Sequence, residues 1–108
     1  MADFNEIYDE IKEKVIHYTE NSVSKYKEQA KREVKEFLDV SKDSVKLWTE
    51  QLAQNKITIM EYEYLVGGLK DIAELKILKN AGLAQQRVAM LIGFVLNTII
   101  DVALRKIK

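Results

Sequence analysis

His17 is the chain's one histidine, and Glu13 stands one helical turn before it, so the pair could lend two ligands to a metal ion. Di-metal centres in helical bundles use a Glu and a His three residues apart on each of two helices, plus further inward glutamates. Here the spacing is four, a second histidine is missing, and there is no cysteine to add a thiolate. No metal is expected. The carboxylates Asp9, Glu10, Glu13, Glu61 and Glu63 could support acid–base chemistry only as a pair held in a pocket with separated pKa values. Asp9, Glu10 and Glu13 share a charged face, and Glu61 reads as a helix cap. Gly67-Gly68 stand inside a helical pattern rather than between a strand and a helix, so they do not form a phosphate loop. No Ser/His/Asp or Cys/His set is present. The reading is a chain that is not an enzyme and uses no cofactor.

The remaining polar signal is Asn97, Asp101 and Arg105, spaced one turn apart on the most apolar stretch of the chain. Asn97 and Asp101 could fix the register between helices or bind a small polar ligand. The same line could instead mark that helix's one wet edge, with Asp101–Arg105 a surface pair worth little. Lys25, Lys27, Lys31, Arg32 and Lys35 form the densest basic run, but Glu28, Glu33 and Glu36 interleave with it. With 17 Lys and Arg against 17 Asp and Glu over 108 residues, phosphate binding lacks the basic excess it needs, and no nucleic acid partner is expected. The first half of the chain carries −3 and the second +3. That mild asymmetry would suit antiparallel self-association.

The elements that position these residues are helical. Phe4, Val15, Tyr26, Phe37 and Trp48 lie eleven residues apart, which is three turns at about 3.67 residues per turn, so the column stays on one face. Val23, Val34 and Val45 run beside it, and Glu6, His17, Glu28, Asp39 and Glu50 repeat on the wet side. The pattern predicts one amphipathic helix over about 3–55, some 75 Å long by its rise per residue. Val40-Ser41-Lys42-Asp43-Ser44 is where a break would fall, because Ser and Asp favour caps. The Phe37-to-Trp48 spacing keeps phase across it and favours continuity.

Gln54-Asn55-Lys56 reads as a turn. Thr58-Ile59-Met60-Glu61 then reads as a capping box, with Ile57 placed to staple onto Tyr62. This second helix is expected over about 58–79, with Gly67-Gly68 tolerated for the close approach of another backbone, and Gly82 as its left-handed end. A third helix, about 83–107, is apolar almost all round at Val88–Leu96. The fold class is therefore all-α, a bundle in one domain over residues 1–108, with the long repeat helix packed on a C-terminal hairpin.

The 11-residue repeat over about residues 4–52 resembles the repeats of exchangeable apolipoproteins. That resemblance implies lipid-surface binding and is carried by period and residue class. The chain departs from it in the capping box and hairpin after Ile57. On the residues themselves, a thin stripe and a very apolar last helix ask for more cover than the chain readily provides. Self-association, a dimer first of all, is the expected answer, through a face comprising Phe4, Val15, Tyr26, Val34, Phe37, Val45, Trp48, Leu91, Val95 and Ile99. The expected role is a coiled-coil-like interaction or scaffold protein that meets copies of itself or another protein, with a membrane surface as the alternative. The N-terminus lacks the basic and apolar regions of a secretory signal, so a cytoplasmic location is expected.

Overall fold

A computed structural model describes residues 3–22, 27–71 and 85–107. Among them lie four helices: α1 Phe4–Ser22, α2 Lys27–Ala53, α3 Ile59–Gly67 and α4 Gln85–Ile107. The all-α bundle holds. The single repeat helix does not, because α1 ends at Ser22 and α2 begins at Lys27, and the two pack against each other along the most extensive helix contact of the fold. The break falls well before residues 41–44. The molecule measures 42 × 22 × 18 Å, and its long dimension is close to the roughly 40 Å of a 27-residue helix such as α2. A straight 75 Å rod would leave its apolar stripe in water. Folding it back buries one half of the stripe on the other, which hydrophobic burial favours at about 25 cal/mol per Å².

Ser41 and Ser44 both sit inside α2, and the buried hydroxyl of Ser41 donates to the carbonyl of Phe37 at 2.6 Å. Thr19 does the same in α1, donating to Val15 at 2.8 Å. Such back-bonding satisfies a hydroxyl without a cap. The end of α2 is a Schellman turn. Asn55 takes φ 61°, in the left-handed region that asparagine tolerates, and the Lys56 N–H donates to the Gln51 carbonyl at 2.8 Å. The Thr58–Glu61 capping box forms as the sequence predicts. Glu61 N–H donates to Thr58 Oγ1 at 3.1 Å and Thr58 N–H to Glu61 Oε1 at 2.9 Å. Ile57 is half-buried against the core.

One core joins all four helices. Ile7, Ile11 and Val15 of α1 meet Val34, Phe37 and Leu52 of α2, Tyr62 and Val66 of α3, and Leu91, Val95 and Ile99 of α4. α4 packs on α1 and α3, so most of its apolar surface from Leu91 onward finds cover within the chain. Tyr18 stacks on Phe94 with ring centroids 3.8 Å apart, closing the α1–α4 seam. The expected end of the second helix near Gly82 lies outside the described residues. Among the described residues no helix is long and apolar enough to cross a membrane.

Candidate functional site

The residues named for the association face are mostly internal. Phe4, Val15, Val34, Phe37, Val45, Leu91, Val95 and Ile99 are buried in the chain's own core, and Trp48 is half-buried against it. Tyr26 lies outside the described residues. The physical reason is the fold-back of α1 on α2, which lets the stripe serve as its own partner. Asn97 and Asp101 are exposed on the outer side of α4, the wet-edge alternative, so neither is placed to set a register inside the bundle. Val40 points outward.

The groups that could carry chemistry gather in two places. The first is an open cleft of about 500 Å³ between α1 and α4, lined by Glu10, Glu13, Lys14, His17 and Arg105. The Glu10 carboxylate meets Lys14 Nζ at 3.5 Å on its own helix. It also meets two groups from the end of α4, Lys106 Nζ at 3.4 Å and the Arg105 guanidinium. Arg105 thus reaches across to α1 instead of turning back to Asp101. Cations at a helix C-terminus also sit well with its dipole. His17 is exposed, and Asn21 Nδ2 lies 3.4 Å from its Nε2 while donating to its carbonyl at 2.8 Å. Among the described residues no three His, Asp or Glu side chains converge as metal ligands. The contacts that the cleft shows are those of an ionic tie between α1 and α4.

The second place is the α1–α2 seam at Tyr8. Its hydroxyl donates to Asp39 at 2.6 Å, Lys42 Nζ lies 4.7 Å from its ring centroid, and Lys12 Nζ is 4.0 Å from Asp39. Burial pushes the Tyr8 phenol well above its ordinary pKa, and the hydrogen bond to Asp39 with the charges of Asp39 and Asp9 push it further. The group is held as a neutral donor. Tyr62 is similar at the centre of the bundle: burial raises its pKa, against a smaller lowering by its hydrogen bond with Thr49, whose Oγ1 lies 2.9 Å away. Both tyrosines lock helices together.

The surface feature that sequence reasoning missed is apolar. Met60 and Tyr64 on α3 are 80% and 82% exposed, and Val40, Leu47 and Met90 are also largely outside. A usable signal existed. The capping box sets the start of α3, and Tyr62, Val66 and Leu69 then mark its inner side, which leaves Met60 and Tyr64 on the outer one. At Gly67 an added Cβ would meet nothing within 4 Å among the described residues. The anticipated close backbone approach is not found there among the described residues. Comparison of the chain with protein-family models, curated proteins and solved structures finds no match.

Proposed function

We propose that the protein acts without catalysing a reaction, as a helical interaction protein that offers the outer side of α3 to a protein partner. One observation carries this reading. Among the described residues the bundle seals most of its large apolar side chains, yet Met60 and Tyr64, adjacent on one helix face, stand furthest out in water. Tyr and Met are enriched at protein interfaces, where a flat aromatic ring and a flexible thioether supply contact area at modest entropic cost. The ion pairs at Glu10 and the tyrosine locks at Asp39 and Thr49 support a rigid body behind that face.

A photoreactive residue placed at position 64, with a control at exposed Asn97, tests the reading in cells expressing the full chain. Adducts to protein at 64 and not at 97 are the expected result. Equal labelling at both positions, or none at 64, overturns it. Loss of the 64 adduct together with co-sedimentation on phosphatidylglycerol vesicles would assign the face to a lipid surface instead.

A further inference from the structure

Met60, Tyr64, Gly67 and Asp71 follow one another at intervals of four, three and four, the spacing by which one helix presents a seam to another. All four are exposed. On the opposite side Tyr62, Val66 and Leu69 are buried, so the helical phase carries on past the end of α3. Gly68 permits this, because its backbone stays right-handed at φ −65° and ψ −16°. Gly67 is the unusual member of the seam. Nothing among the described residues crowds its Cβ position, and glycine is a poor helix former relative to alanine. A glycine there leaves room for another molecule's side chain or backbone to come close.

Charge selects that molecule. Glu63 and Lys70 are both exposed and lie seven residues apart, hence on the same flank of the seam. Placing a two-fold axis between Tyr64 and Gly67 sets two copies of the helix antiparallel. Tyr64 of each copy then lies over Gly67 of the other, and Glu63 of each faces Lys70 of the other. A parallel arrangement would bring the acidic ends, Glu61 and Glu63, to the same level in both copies. A two-fold contact is self-complementary by symmetry, which is what one helix carrying both an aromatic knob and a glycine hole requires.

We propose that the outer face of α3 is a self-association surface on which a second copy of this chain packs antiparallel, Tyr64 over Gly67. The proposal rests on the interaction reading above and names its partner. Asp71 ends the seam opposite Met60 and keeps that end wet.

Sedimentation velocity over a concentration series of the purified full chain is the test. The wild type forms a reversible dimer. Glu63→Lys alone and Lys70→Glu alone each weaken it about ten-fold, since two ion pairs become two repulsions. An equimolar mixture of the two variants restores association, because the mixed dimer has opposite charges at both contacts. Gly67→Ala weakens the dimer while raising the melting temperature of the dilute chain. A dimer indifferent to the single charge changes, or a mixture that fails to recover, overturns the register and with it the proposal. A wild type that stays monomeric throughout also overturns it. That outcome leaves the broader reading to stand or fall on the photoadducts at position 64, which would then join this chain to a different protein.

Discussion

The helix with the most apolar residues and the helix with the most exposed ones are different helices. α4 is apolar on nearly every side, yet Leu91, Ile92, Val95, Leu96, Ile99, Val102 and Ala103 all lie inside the bundle. α3 is nine residues long, seals Tyr62 and Val66 inward, and leaves Met60 and Tyr64 outside. Hydrophobicity summed along a helix therefore says how much cover it needs, not whether it obtains that cover. α4 finds it on α1 and α3, whereas the outer face of α3 has no element of the described chain across it.

The largest expected effect tests that contrast directly. Ile99→Ala, within α4, should cost about 2–5 kcal/mol in urea denaturation of the dilute chain, because a buried methyl-rich side chain leaves a cavity. Tyr64→Ala, outside on α3, should change the same measurement by about 0.5 kcal/mol or less. Equal losses would mean that the outer face of α3 is packed after all. Next comes the inner face of α3. Tyr62→Phe leaves the buried Thr49 hydroxyl without its partner and should cost about 1–2 kcal/mol; a neutral result would place the pair in water.

Alkaline pH sharpens the same division between sealed and open tyrosines. Tyr8 and Tyr62 both hold their phenolic protons more tightly in the folded chain than in the unfolded one. Their contribution is whole below the ordinary tyrosine value of about 10. It drains away as pH climbs from there through the raised folded values. Melting temperature should accordingly fall above pH 10, and less steeply in Tyr8→Phe and Tyr62→Phe. A wild-type slope unchanged in both variants would sink this account. The smallest effect is a gain: Gly67→Ala should stabilise the dilute chain by up to about 1 kcal/mol through helix propensity. A loss in the same denaturation experiment would show that something within the chain does crowd that position.

Much of the architecture was legible because it is written in short-range patterns. The Thr58–Glu61 box, the turn at Asn55 and the burial of the Val34, Phe37 and Val45 columns follow from residues within a few turns of one another. The reversal between Ser22 and Lys27 was not. An 11-residue period reports the face each helix buries, and that face is the same whether the two halves continue straight or fold onto each other. No proline or glycine interrupts the chain there. The candidate site was legible only in part. Glu10 and His17 stood out as polar candidates, but Arg105 and Lys106 reach Glu10 from almost the other end of the chain. Tyr64 is told apart from Tyr62 only once Tyr62, Val66 and Leu69 are assigned to the inside.

By itself, then, the sequence determined that this protein is helical, where α3 begins and how α2 ends, and which side of each helix is apolar. Those properties arise from contacts within a turn or two, from caps and from periodicity. Tertiary structure alone decided that α1 folds back on α2, that α4 is covered from within, that Arg105 pairs with Glu10 rather than Asp101, and that Met60 and Tyr64 stay outside. Each of these depends on which distant segment arrives to cover a face, and burial is a property of pairs of surfaces rather than of one.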